Sequence, residues 1–236
     1  MKNQYFGDIN DYRKYGILRC LATVGPLRLG ICWMLTPSDG STDGQQTSYL
    51  ASPSEWRPLD PVLFDALLDA VERGQRDVSV AKASNLLPAA VFFSEEVPTG
   101  NASRAGYLSA CLDTLAETDV VFFDPDNGLE VRSAPFGAKA SPKYLYWREL
   151  VAAYQEGHSL LIYQHHPHEV RAEFHKRIAR EFTRRVSPRA LWALATSSVV
   201  YFLAAQPGHL AEIRDSVEAI QSRWGREVEV IDLLDA

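Results

Sequence analysis

An apolar run that leads into acidic residues is the part of this sequence most able to do chemistry. Residues 120–123, Val-Val-Phe-Phe, predict a buried strand, and Asp124, Asp126 and Asn127 follow it, with Glu130 slightly further on. A carboxylate at the end of such a strand can hold a substrate amine or a metal ion. The proline between the two aspartates stiffens the turn and has no N–H to donate. An ordinary polar turn is the alternative interpretation.

A second group of chemically capable side chains follows the apolar run at 160–163. It contains His165, His166 and His168, and imidazole suits zinc, iron and nickel. Adjacent side chains on an extended chain point to opposite faces, so at most two of the three converge easily. The alternative is a polar strand end that leads into a helix.

The segment after these histidines is strongly basic. A helix is predicted over 168–186, and three glutamates between 169 and 181 accompany its cations. The basic residues of the segment are Arg171, Lys176, Arg177, Arg180, Arg184, Arg185 and Arg189. A local surplus of this kind can bind a phosphate backbone, although a solvated helix face would have the same composition.

Strands and helices alternate along most of the chain. Strands are predicted at 27–35, 90–93, 120–123 and 160–163, twice within 190–205, and at 227–231. Helices are predicted at 11–24, 60–73, 103–116, 143–154, 168–186 and 209–223. Apolar runs without polar alternation indicate strands covered on both faces. We therefore expect one Rossmann-like α/β domain over 1–236: a three-layer sandwich, mostly parallel, with antiparallel edge strands near the C-terminus.

Ligands of open α/β sheets bind outside the carboxyl ends of the strands. If the first four strands are parallel, the residues that follow them share one edge. Thr36 and Asp39 follow the first strand, in a long polar loop, and Glu95 follows the second. These three residues are candidates for binding a cofactor, and the acidic and histidine groups are expected on the same edge.

Composition excludes several classes of protein. The 236 residues carry 24 Lys+Arg against 30 Asp+Glu, a net charge of −6, so a uniformly basic nucleic-acid binder is not expected. Three scattered cysteines suit neither a disulfide framework nor a zinc ribbon. No signal-peptide pattern and no apolar run of membrane-spanning length occur, which predicts a cytoplasmic protein. P-loop, Gly-x-Gly-x-x-Gly, His-Glu-x-x-His and Gly-x-Ser-x-Gly motifs are absent.

Several short motifs resemble those of the adenine methyltransferases of large-subunit ribosomal RNA, the RlmJ type. That family opens with F-x-x-G-x-x-x-D-x-x-K, and here Gly7, Asp11 and Lys14 have the same mutual spacing. The family also has an apolar strand that ends in D-P-P-Y, in whose place this chain has residues 122–127, Phe-Phe-Asp-Pro-Asp-Asn. The next strand, the basic helix at 170–178 and the order of elements in the tail are similar in pattern.

The resemblance implies a Rossmann-like fold that binds S-adenosylmethionine and methylates an adenine amine. Asp124 would then accept a hydrogen bond from the target amine, and Pro125 would place its backbone carbonyl against the same nitrogen. Such a substrate presents its base outside the stack. The cofactor would lie near the residues Gly7, Asp11, Lys14, Thr36, Asp39 and Glu95.

Three functions follow from these observations. The first is a methyltransferase with Asp124, Pro125, Asp126 and Asn127 at the reacting centre and RNA or DNA as a partner. Its predicted substrate-binding residues are His165, His166, His168, Arg171 and Lys176. The second is a phosphodiester hydrolase that uses a divalent metal, with the ligands Asp124, Asp126, Glu130 and His165, and the neighbouring histidines in support. The third is a Rossmann-like binding module without catalysis.

Overall fold

A computed structural model describes residues 1–37 and 44–234. The predicted cofactor residue Asp39 lies outside the described residues. Nine strands are described, β1 to β9 in chain order: Leu29–Cys32, Val91–Phe93, Val120–Phe123, Gly128–Leu129, Tyr144–Leu145, Ser159–His165, Ala190–Ala195, Val199–Ala205 and Glu229–Asp232. Eight α-helices are described, α1 to α8: Ile9–Thr23, Pro53–Trp56, Pro61–Glu72, Ser79–Ala83, Asn101–Leu115, Trp147–Gln155, Arg171–Arg185 and Leu210–Trp224.

Seven of the strands form one sheet in the order β2-β1-β3-β6-β8-β7-β9. The strands β2, β1, β3 and β6 are parallel to one another, whereas β8 pairs antiparallel with both β6 and β7, and β9 pairs antiparallel with β7. The short strands β4 and β5 form a separate parallel pair. This is the layered α/β fold that the sequence predicts, with its antiparallel strands at the C-terminal side.

Helices cover both faces of the sheet, which explains the unbroken apolar runs. Alternate side chains of β3 enter opposite cores: Val120 and Phe122 pack with α1, α3 and α8, whereas Val121 and Phe123 pack with α5, α6 and α7. All four residues are 2% exposed or less. A strand buried on both faces needs apolar residues at every position.

Helix α1 is unusual because it is buried around much of its circumference. Its polar side chains Asp11, Arg13 and Lys14 are buried together with its aromatic residues. The helix packs on α8 at Gly16, where a Cβ would overlap the ring of Trp224. Charged side chains on a buried helix are stable when they are paired with opposite charges. Helix α1 can therefore place such side chains inside the protein.

The antiparallel strands β8, β7 and β9 lie together on one side of the sheet, with β9 at its edge, as the sequence predicts. One detail differs from the sequence-based expectations. The basic helix begins at residue 171 and not at 168, since His168 precedes α7. Among the described residues between β1 and β2, there are helices but no strand. No helix of the described ranges is both long and apolar enough to cross a bilayer.

Candidate functional site

The order of the strands creates a crevice at the carboxyl end of β1 and β3. The chain leaves β1 to form β2 on one side of it and later returns to form β3 on the other side. Such a switch point is where open α/β sheets bind their ligands. A cleft that is partly open to solvent lies here, between the first turn of α1, the residues after β3 and the end of β6.

A buried lysine joins α1 to the residues after β3. Lys14 Nζ lies 2.6 Å from Asp11 Oδ1 and 2.8 Å from Asp124 Oδ2, and the three side chains are at most 4% exposed. Asp11 and Lys14 are one helical turn apart and therefore share a face of α1. Asp8 sets the start of that helix, because its carboxylate accepts a hydrogen bond of 2.9 Å from the Asp11 N–H.

These contacts keep the Lys14 side chain positively charged. Although burial alone would lower it, the pKa of Lys14 is raised because Asp11 and Asp124 surround the ammonium. The rings of Tyr15 and Trp33 also lie 5.4 and 5.2 Å from Nζ, a distance at which an aromatic face attracts a cation. Lys14 is therefore a permanent cation and not a proton acceptor at neutral pH.

Two carboxyl groups of the cleft have a raised pKa. Burial raises the pKa of Asp11 to about 7 despite the nearby Lys14, and burial also raises that of Asp8. The neighbouring carboxylates of Asp8 and Asp124 add to the rise in the pKa of Asp11, since like charges at short range repel. Around neutral pH, Asp11 can therefore exchange a proton.

A second ammonium group lies next to the first. The amino group of Met1 is 2.8 Å from Asp126 Oδ1 and donates to the backbone carbonyls of Asp124, at 3.0 Å, and Met34, at 3.1 Å. Thr36 Oγ1 donates to the other oxygen of Asp126 at 2.5 Å. We call Asp126 Oδ1 and the carbonyls of Asp124 and Met34 the three-oxygen cage.

The cage is incomplete at Asp126. Its buried Oδ1 forms the ion pair but has no hydrogen bond of good geometry with any described residue. Although burial alone would raise it, the pKa of Asp126 is lowered because the Met1 amino group and Thr36 favour the carboxylate. An ionised oxygen with an unused lone pair can accept a further hydrogen bond from a ligand.

The lining of the cleft is acidic overall. Its four carboxyl groups, those of Asp8, Asp11, Asp124 and Asp126, face two ammonium groups, those of Lys14 and Met1. Opposite charges are favoured in such a partly enclosed space. The cleft therefore suits a cationic ligand or an amine better than an anionic one.

The end of β6 completes the cleft on one side. His165 lines it beside Tyr163, whose hydroxyl lies 3.2 Å from His165 Nε2. Loss of hydration at the cleft wall lowers the pKa of His165, which favours the neutral imidazole at pH 7. Of the predicted substrate-binding residues, His165 is the one that the structure brings to the cleft.

The other predicted substrate-binding residues lie beside α7. His166 packs on His175, with ring centroids 5.8 Å apart, and Arg171 donates to the backbone carbonyls of Thr196 and Ser197. His168 is exposed before α7, and Lys176 lies 3.4 Å from Glu173 on the same helix. The histidine group of the sequence is thus divided by the turn after β6.

The predicted metal ligands are also not assembled. The described residues contain no group of three or more His, Cys, Asp or Glu side chains that could hold a metal ion. Asp124 forms an ion pair with Lys14, and Asp126 forms an ion pair with the Met1 amino group. Glu130 lines a different groove, next to α7.

A glutamine on β6 holds the segment after β3 in place. The Oε1 atom of Gln164 accepts from Leu129 N at 2.7 Å, and its Nε2 donates to the Asn127 and His165 carbonyls. Gly128 has a φ of +110°, and a Cβ there would overlap the Gln164 amide. The backbone of Asn127 also donates to the Lys143 carbonyl at 2.9 Å, so this residue is anchored by its main chain.

The remaining predicted residues lie at or near the same edge. Gly7, with a φ of +84°, donates its N–H to Asp11 at 3.3 Å. Pro125 lines the cleft, whereas Glu95 is exposed after β2. Sequence reasoning missed the Met34 carbonyl and Tyr163, which no residue pattern distinguishes.

Comparison with models of protein families gives no match, and neither does comparison with curated proteins. The function must therefore be argued from the geometry of the cleft.

Proposed function

We propose that this protein is an S-adenosylmethionine-dependent methyltransferase that acts on an amine of a nucleic acid or nucleotide. One observation carries the proposal: the three-oxygen cage at the carboxyl end of β3 holds an ammonium group at 2.8–3.1 Å. The resemblance of residues 7–14 and 122–127 to ribosomal RNA adenine methyltransferases points to the same edge of the sheet.

Acceptor binding follows from the positions of the oxygens. Asp126 Oδ1 and the Asp124 carbonyl would accept the two hydrogens of the target amine and so direct its lone pair away from them. Lys14 occupies Asp124 Oδ2, so in this geometry the backbone of Asp124 takes the role that the resemblance gives to its carboxylate. The Met1 amino group must leave the cage when the acceptor enters. Positioning of this kind can supply much of the rate acceleration.

The charge of the cleft also suits the cofactor. S-adenosylmethionine, when bound, supplies the methyl group as an electrophile on a positively charged sulfur. The excess of carboxyl groups favours that cation and the amino group of the cofactor. Glu95 and Glu96 follow β2 at the same edge, and by position either residue would contact the ribose of the cofactor.

The experiment is transfer of labelled methyl groups from S-adenosylmethionine to adenine-containing single-stranded oligonucleotides. Asp126→Asn should abolish transfer while the circular dichroism spectrum remains that of a folded protein, although loss of the buried ion pair with the Met1 amino group lowers the melting temperature. Asp65→Asn is the matched control. Asp65 lies on α3 and forms an exposed ion pair of 2.7 Å with Arg57, which precedes that helix. Transfer by Asp126→Asn at the wild-type rate would contradict the assignment.

A further inference from the structure

A strongly basic surface lies on the face of the sheet opposite α1. Six arginines line the two grooves that flank α7: Arg132, Arg148, Arg177, Arg180, Arg184 and Arg185. We call this set the arginine surface. It is a concentration of positive charge on a chain whose net charge is −6.

The carboxylates nearby do not neutralise this surface. Arg184 and Arg185 share a single partner, Glu181, at 2.7 and 2.6 Å, and Arg177 pairs with Glu169 at 2.5 Å. A third carboxylate, that of Glu130, also lines one of the grooves. The surface therefore has six guanidinium groups and only three neighbouring carboxylates. Exposed ion pairs contribute little to stability, so they can open in favour of a phosphate.

Three of the six arginines have no ion-pair partner among the described residues. Arg148 lies over the ring of Phe136, and the other two are Arg132, in the segment after β4, and Arg180, on α7 between the other basic positions. Both side chains are exposed, and each can donate to a ligand without losing an existing contact. An unpaired guanidinium is the group best suited to grip a phosphate.

The floor of one groove is rigid and partly aromatic. A buried ion pair between Arg104 and Glu149, with N–O distances of 2.6 and 2.8 Å, fixes the start of α6. The guanidinium of Arg148 then lies 4.3 Å from the ring centre of Phe136. Arginine planes and partly exposed aromatic rings are surfaces on which unpaired bases stack.

The same segment of chain leads from the cleft to this groove. Asp124 and Asp126 line the cleft, and the residues from Glu130 to Phe136 line the groove. Arg132 is six residues from Asp126, so their Cα atoms are at most about 21 Å apart. About six stacked nucleotides, at ~3.4 Å each, span that distance.

We propose that the arginine surface binds the sugar–phosphate backbone of a single-stranded nucleic acid. The direction of that strand toward the cleft rests on the proposed function, whereas binding itself does not. A single strand is required at the cleft because a base in a duplex does not expose its amine for reaction.

Fluorescence anisotropy with a labelled 12-nucleotide RNA of mixed sequence, in the absence of S-adenosylmethionine, tests this inference. If four phosphates are contacted, affinity should fall about 50-fold between 50 and 200 mM salt. The double variant Arg132→Ala/Arg180→Ala should weaken binding at least tenfold and flatten the salt dependence. The matched control is Arg57→Ala/Arg73→Ala, which removes two exposed, paired arginines from the opposite face of the sheet.

Separate probes distinguish the outcomes. DNA of the same sequence, bound equally well, would support recognition through the phosphodiester backbone, and tighter binding of RNA would support a contact with the 2′-hydroxyl. Equal binding of a poly-glutamate peptide, no binding at 50 mM salt, or wild-type affinity of Arg132→Ala/Arg180→Ala would overturn the inference. S-adenosylhomocysteine binding, measured in parallel, reports on the proposed function alone.

Discussion

Lys14 and Asp124 are 110 residues apart in the sequence, yet Lys14 Nζ donates a hydrogen bond of 2.8 Å to Asp124 Oδ2 inside the protein. The two side chains are only 2% and 3% exposed. Charges buried so completely are stable only when they are paired. This pair fixes the first turns of α1 against the residues that follow β3, and so determines the shape of the cleft.

Removing the lysine should therefore strongly destabilise the fold. Lys14→Met leaves Asp11 and Asp124 buried without their cation, and we expect a loss of about 3–5 kcal/mol in the free energy of unfolding. Urea denaturation measures this loss. Lys82→Met, which removes an exposed lysine of the short helix α4, should change stability by about 0.5 kcal/mol or less. Similar losses in both variants would show that the buried network is not a stabilising link.

The pH dependence of stability should reveal Asp11. Its pKa is raised from 3.8 to about 7 in the folded protein, so the folded state holds its proton more tightly than the unfolded state. The Asp11 contribution is complete below pH 4 and is lost as the pH rises to about 7. Asp11→Asn should remove this part of the decline. Parallel stability–pH curves for variant and wild type, measured by urea denaturation from pH 4 to 8, would contradict the assignment.

Two helical glycines should respond in opposite directions to alanine. At Gly16 a Cβ would overlap the Trp224 ring, so Gly16→Ala should cost about 1–3 kcal/mol by overpacking the contact between α1 and α8. At Gly106, on α5, no atom lies within 4 Å of the added Cβ. Gly106→Ala should therefore stabilise the protein by roughly 0.5–1 kcal/mol. Thermal unfolding of the two variants compares them, and a neutral Gly16→Ala would refute the close packing.

A second pair of glycines separates backbone strain from damage to the site. Gly128 and Gly157 both have a positive φ, of +110° and +97°, but only at Gly128 would a Cβ meet a neighbour, the Gln164 amide. Both alanine variants should lose about 1–2 kcal/mol of stability. Only Gly128→Ala should also weaken binding of S-adenosylhomocysteine, because it displaces the residues after β3 that line the cleft. Calorimetric titration of both variants tests this, and equal affinities would show that the contact between Gly128 and Gln164 does not affect ligand binding.

The sequence contains enough information to predict the layers of the fold and one edge of the sheet. Apolar runs such as 120–123 show that both faces of the sheet are covered, and the polar residues after them identify the carboxyl edge. The order of the strands is not visible in this way. The position of β8 between β6 and β7 depends on which backbone edges pair in the folded chain, and no local pattern encodes that choice.

The site could be predicted only in part, for similar reasons. Asp124, Asp126 and His165 share the edge because their strands are parallel, which the spacing of elements implies. The neighbours His166 and His168 do not, because the chain turns away toward α7 directly after β6. The contacts of Lys14 and of the Met34 carbonyl arise from tertiary packing over long separations, which residue types alone cannot reveal.

Calorimetric titration of the wild-type protein with S-adenosylhomocysteine tests the central claim most directly. We expect saturable binding of one molecule per chain, weakened by Gly128→Ala and unchanged by Asp65→Asn. Protection of the first turn of α1 and the residues after β3 from hydrogen exchange should accompany binding. Absence of heat and of protection at millimolar ligand would contradict the claim that this cleft is the site of a methyltransferase.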